Sequence, residues 1–231
     1  MYEMLHSALL EGLAWPDVRH LAAAVLVDVI SGHNRVTAIR HPLGFLCLPV
    51  ERAGERGVCV HLWTDRLRLA VPATPTTSTT HAHSWDLLSC VLFGSLYNEL
   101  VGIAEDGGRP THRVFEVGSR PYGDELRRTG QLVRGRAGRR NLHRDGEVYT
   151  LPAGAFHRTV PVGEVATLVL GSGQPDAADL VLGDVDTPTH RVRRSRCTRE
   201  ETVQAATMIA SRLAEIPAPR HREDRCQPRS C

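Results

Sequence analysis

From about Phe45 onward the chain is a succession of short apolar runs separated by turn residues. The runs are Phe45–Val50, Gly57–Trp63, Leu67–Val71, Leu87–Phe93, Leu96–Val101, His112–Val117, Gln131–Val133, Gly146–Leu151, His157–Val160 and Val165–Leu170, with Gly, Pro, Asp and Asn between them. Runs this short cannot be the helices of a parallel α/β fold, and no helical period separates them. The pattern predicts an all-β sandwich or barrel. The stretch Val71–Thr80, rich in Pro and Thr, reads as a loop.

The two ends differ from this middle. Leu5, Leu9 and Leu10 cluster at helical spacing, and a second helix is predicted to start at Trp15-Pro16-Asp17, where proline is tolerated in the first turn. It runs through Leu21–Val27 to Ile30 and stops at Ser31-Gly32. Near the other end, Thr198-Arg-Glu-Glu201 is a capping box, followed by Val203, Ala206, Ala210, Leu213 and Ala214 on one helical face. Residues 218–231 are polar, and disorder is expected there. The organisation expected is a helical region over 1–42 packing on the barrel, a barrel over 43–183, and a basic linker, helix and tail over 184–231.

Composition narrows the function. All 28 positive residues of the 231 are arginine, so Schiff-base, pyridoxal-lysine and phosphate-loop-lysine chemistry are excluded. A net charge of +2 gives no general affinity for nucleic acid, and none is expected as a partner. The run Leu21–Val27 is far short of a membrane span. The six cysteines form no C-x-x-C pair, and no signal peptide is recognisable, so a cytoplasmic protein with reduced thiols is expected. Cys90 reads as a core residue.

Three of the 12 histidines stand out. His81 and His83 are two residues apart beside a predicted strand, so alternation sends both rings to one face. Gly146-Glu-Val-Tyr-Thr-Leu-Pro152-Ala-Gly154-Ala-Phe-His157 reads G-x5-P-x-G-x2-H: a turn into a strand, a tight turn at Pro152 and Gly154, then an imidazole at the start of the next strand. A hairpin of this kind returns His157 toward the other two. Asp86, three residues after His83, has the opposite parity, and is a candidate ligand only through a bulge, or else an acceptor for an imidazole N–H. Other candidates for the cavity are Trp85, Leu87, Tyr149, Leu151, His61 and Trp63, with Arg66, Arg68 or Arg158 as a carboxylate-binding arginine.

These two histidine segments resemble the paired motifs of the cupin superfamily. The second motif matches from Gly146 through His157, with Pro161 where that family closes on Asn. The first matches at His81, His83 and Gly94 but lacks the opening Gly and the glutamate ligand, whose positions are Leu87 and Leu88. The resemblance implies a double-stranded β-helix, or jelly-roll, barrel with helices at both ends. It implies a metal held by His81, His83 and His157: iron(II) first, with zinc, nickel or manganese as other occupants. It also implies a small anionic or chelating substrate that meets dioxygen at the metal, as in the three-histidine non-haem iron dioxygenases, and a dimer paired through sheet edges. Tyr149, Asp86 and Arg158 are the catalytic candidates. The layout is similar to thiol dioxygenases, but their Ser-His-Tyr relay is missing: the corresponding strand positions are Thr167, Val169 and Gly171. A cupin isomerase or epimerase, or a non-catalytic ligand-binding cupin, is the alternative.

Overall fold

The computed structural model describes residues 1–12, 14–67, 77–105, 108–120, 123–173 and 177–215. Part of the predicted strand Leu67–Val71, most of the predicted loop Val71–Thr80, and the tail after Glu215 lie outside them. In chain order the elements are α1 (Tyr2–Leu10), α2 (Trp15–Ser31), β1 (Ile39–Arg40), β2 (Leu46–Ala53), β3 (Arg56–Trp63), β4 (His81–Ala82) and β5 (Trp85–Ala104). There follow β6 (His112–Arg120), β7 (Gly123–Arg144), β8 (Val148–Leu151), β9 (His157–Gly173), β10 (Asp179–Gly183), β11 (His190–Arg193), β12 (Ser195–Arg196) and α3 (Arg199–Glu215).

The sheet closes on itself. Strand β9 pairs with β3, β4 and β5, and from β4 the ladder passes through β10, β6 and β7 back to β5. The pairings along this circuit are antiparallel. This is the all-β jelly-roll barrel with terminal helices that the spacing of apolar runs and the two histidine segments predicted.

Strand lengths differ from the expectation. Leu87–Phe93 and Leu96–Val101 are not two strands but the two limbs of β5. Between them Gly94 takes a φ of +80°, and the register against β9 slips twice between Val91 and Ser95. The chain bends here without turning back, so one strand serves two walls of the barrel. A Cβ on Gly94 would lie 2.3 Å from the Glu164 carbonyl oxygen, so no other residue fits this crossing. Likewise β9 joins the predicted His157–Val160 and Val165–Leu170 runs through Gly163, at φ +69°. The predicted run Gln131–Val133 is only the middle of β7. Its continuation, rich in Arg and Gly, pairs with β5 through main-chain bonds, which an apolar pattern does not reveal.

Alternation along three adjacent strands separates the core from the site. Leu48 of β2, Val58, Val60 and Leu62 of β3 and Leu168 and Leu170 of β9 face outward and are buried against Leu5, Leu26, Val29, Ala206 and Ile209 of the helices. Each buried large aliphatic contributes about 1.5–3 kcal/mol. Cys90, at 0 % exposure, belongs to this layer, and burial pushes its thiol up to about 12. The residues between these, Cys47, Cys59, His61, Trp63, Thr167, Val169 and Gly171, face into the barrel.

The helix signals are where the sequence placed them. Pro16 is in the first turn of α2, and Gly32 ends it at φ +86°. The capping box is complete: the Glu201 amide donates to Thr198 Oγ1 at 3.1 Å and the Thr198 amide to Glu201 Oε2 at 2.7 Å. Thr202 Oγ1 accepts the Ala38 amide at 3.1 Å, tying α3 to the segment entering β1.

Candidate metal centre

His81 opens β4 and is the register partner of His157, which opens β9. His83 follows two residues after His81, and alternation returns its ring to the same side. The ring centroids are 4.3 Å apart for His81 and His157, 4.8 Å for His81 and His83, and 5.2 Å for His83 and His157. One ring nitrogen from each lies within 4.8 Å of the others.

Main-chain amides of the preceding turn hold the third histidine in place. The turn before it has Ala155 N–H on the Pro152 carbonyl, at 3.1 Å, and Gly154 at φ +76°. Its Gly154 N–H donates to the carbonyl of His83 at 2.8 Å, and its Ala153 N–H to Asp86 Oδ1 at 2.9 Å. Thus the two histidine-bearing segments are fastened to each other beside their own ligands. Asp86 is exposed and does not reach the imidazoles, because parity turns it to the other side of the strand. It fastens the turn, its carboxylate lies outside the grouped ligand atoms of the triad, and no hydrogen bond joins it to an imidazole among the described residues.

The imidazoles are neutral. Burial, followed by the neighbouring rings, lowers the pKa of His81, His83 and His157 to about 3 each. His157 is 2 % exposed; the other two are half-buried. His81 Nδ1 lies 3.0 Å from the Thr79 carbonyl and His157 Nδ1 3.0 Å from the Ala155 carbonyl. A carbonyl accepts, so Nδ1 carries the proton and Nε2 presents a lone pair. Trp85 stacks on His83 at 4.2 Å and 29°. Three neutral, oriented nitrogen donors fit a divalent transition ion, with bonds of about 2.0–2.1 Å reached by small side-chain rotations.

The triad opens into a cavity of about 260 Å³. Trp85, Leu87, Tyr149, Leu151, His61 and Trp63 all line it; strand parity with His81 and His83 points there for Trp85 and Leu87, and leaves the face of the other four open. Tyr149 stacks on His143 at 4.3 Å, and burial raises its pKa, so it keeps its phenolic proton. Arginine was misplaced by the sequence reading. Arg158 follows His157 on the opposite face and pairs with Glu99 outside the barrel. Arg66 is 70 % exposed and pairs with Glu164, and Arg68 lies outside the described residues. The arginines at the cavity are Arg52 and Arg194. Arg194 is paired with Asp124 at 2.5 Å, whereas Arg52 has no ion pair among the described residues.

A second group was missed. Cys47, Cys59 and His61 bring two sulfurs and a ring nitrogen within 4.8 Å of one another in the same cavity. The neighbouring Cys47 thiol and the His61 ring hold Cys59 down, while Cys59 and then burial push Cys47 up. The signal was Cys59-Val-His61, an i, i+2 pair on a strand like that of His81 and His83.

No family model and no curated protein sequence matches the chain. Solved structures do. A cupin superfamily protein from Desulfitobacterium hafniense is similar over 56 % of this chain and 78 % of its own, at 11 % identity and a TM-score of 0.32. A cupin described as RmlC-like, from Shewanella frigidimarina, is similar over 62 % and 87 %, at 10 % identity and a TM-score of 0.36. Hydroquinone 1,2-dioxygenase from Sphingomonas, solved with 4-hydroxybenzoate bound, is similar over 55 % and 65 %, at 16 % identity and a TM-score of 0.30. At these identities and scores the likeness is one of partial shape and says nothing of substrate or activity.

Proposed function

We propose that the chain is a non-haem iron(II)-dependent oxygenase of the cupin type, acting on a small anionic or metal-chelating substrate. The observation that carries this reading is the triad itself: three neutral imidazoles at the wall of a cavity, with no carboxylate among them. Such a donor set leaves the charge of a divalent ion uncompensated and its remaining positions open. Iron(II) held by His81, His83 and His157 would supply positions at which an organic ligand and dioxygen meet.

The protein's own groups have definite parts. Arg52, without an ion pair, offers a guanidinium to a carboxylate, phenolate or similar anion. Tyr149, holding its proton, would present its phenol as a hydrogen-bond donor at the cavity wall. Trp85, Leu87, Leu151 and Val169 make an apolar wall that excludes water from the ligand. The carbonyls of Thr79 and Ala155 keep two imidazoles in the donor tautomer.

The test is metal content after anaerobic purification, followed by oxygen uptake with iron-reconstituted protein against small acids, thiols and phenols. One iron per triad is expected, with uptake stimulated by one substrate class, and both lost in His157→Ala. Full iron retention in His157→Ala overturns the site. Iron-loaded protein that consumes no oxygen with any class overturns the oxygenase.

A further inference from the structure

The group on β2 and β3 is a site in its own right. In the antiparallel pair Cys47 stands opposite His61, and Pro49 opposite Cys59. The three ligating residues therefore share the inward face of two adjacent strands and need no loop to bring them together. Cys47 is buried and the other two are half-buried. Both thiols are free. The His61 ring is held by Phe45, at 4.5 Å between centroids, and by the edge of Trp63 at 6.0 Å.

An independent observation points to a ligand beside them. Thr167 of β9 is the cross-strand partner of His61. It lines the cavity at 0 % exposure, and its Oγ1 has no hydrogen-bond partner. A buried hydroxyl left unpaired costs about 1–3 kcal/mol, so such a group at a cavity wall is a ready partner for whatever the cavity holds.

We propose that Cys47, Cys59 and His61 form a second metal site, a zinc site whose fourth position opens into the same cavity as the histidine triad, with the Thr167 hydroxyl as hydrogen-bonding partner of the group that fills it. Two thiolates and one imidazole make a soft, tetrahedral donor set, which selects zinc over harder first-row ions. Zn–S bonds of about 2.3 Å place the sulfurs about 3.8 Å apart, inside the 4.8 Å within which the three ligand atoms lie. Binding sends the proton still held by the pair to solvent, so that two thiolates balance the two charges of the ion. The triad provides no such balance. One cavity thus holds a charge-neutral soft site next to a cationic nitrogen site, and the two sort metals by donor chemistry.

The experiment is a titration of the full-length protein with zinc(II) against a chromophoric chelator, paired with cobalt(II) as a spectroscopic probe. Wild type should bind two ions per chain, and its cobalt form should show sulfur-to-cobalt charge transfer in the near ultraviolet. His157→Ala should lose one ion and keep that band; Cys59→Ser should lose the other ion and the band, with site affinity reduced ~100-fold or more. Stoichiometric zinc should also shield both thiols from a thiol-specific reagent. Absence of the band in wild-type protein, or a stoichiometry unchanged in Cys59→Ser, overturns the site; the wild-type spectrum decides even if the variant fails to fold. A wild type that binds only one ion in total, lost in either variant, would show a single shared site and would overturn it too.

Discussion

Acid should weaken the metal-free protein well above the pH at which its carboxylates protonate, and His157 gives the magnitude. Its ring titrates at about 3 in the fold against an ordinary value of 6.5. A base whose pKa is lowered by folding contributes fully above the unfolded value. That contribution is lost as pH falls below 6.5 toward the folded value, because the unfolded chain takes up a proton that the native ring refuses. Between about pH 7 and pH 5 linkage makes this loss about 1.9 kcal/mol for one fully shifted ring. His157, at 2 % exposure, carries the whole figure. His81 and His83 have the same shift, but they are half-buried and screened, and discounting each by half brings the three to about 4 kcal/mol. That is a large share of the stability of an ordinary domain. The assay is urea unfolding of chelator-treated protein at about pH 7, 6 and 5, for wild type and His157→Gln. Wild type should lose about 1.9 kcal/mol more than the variant over this range, at constant m-value. Equal losses in the two proteins would mean that native His157 accepts a proton normally, and the account of a buried, neutral, pre-oriented triad would fail.

Two further outcomes follow from the same geometry. Gly94→Ala should cost about 3 kcal/mol or more in urea unfolding, since it combines a left-handed φ with a Cβ 2.3 Å from a main-chain oxygen, while Gly163→Ala, also left-handed but with nothing within 4 Å, should cost only about 1. Asp86→Ala should lower stability by about 1 kcal/mol through loss of the Ala153 amide bond, with metal stoichiometry at the triad unchanged; loss of the ion in this variant would return Asp86 to the ligand set.

What was legible in the sequence is what depends on short-range geometry. Alternation places His81 with His83, and the segment from Gly146 through the Pro152–Gly154 turn to His157, read through its resemblance to the second cupin motif, supplies the third member. The capping box at Thr198 and Glu201 and the stop at Gly32 are likewise local. Parity also put Trp85 and Leu87 on the cavity side. What stayed hidden depends on pairing between distant segments. Cys47 faces His61 only through the β2–β3 register, which carries an irregularity between Pro49 and Glu51. Arg52 lies just beyond that irregularity and reaches the cavity, whereas Arg158, adjacent in sequence to a ligand, is turned away by the same alternation that turns His157 inward. The unity of β5 was invisible because Gly94 looks like a turn and acts as a bend.

The place of β3 between β2 and β9 has a consequence during synthesis. Its neighbour β2 precedes it, but its other edge pairs with residues 165–172, as in His61 with Thr167, about a hundred residues later in the chain. At roughly 5–20 residues per second that edge, with Val58, Val60 and Leu62 on it, stands open for something like 5–20 seconds on the ribosome. The nascent hairpin is therefore the segment on which a holding chaperone would act, and barrel closure waits for β9 to emerge.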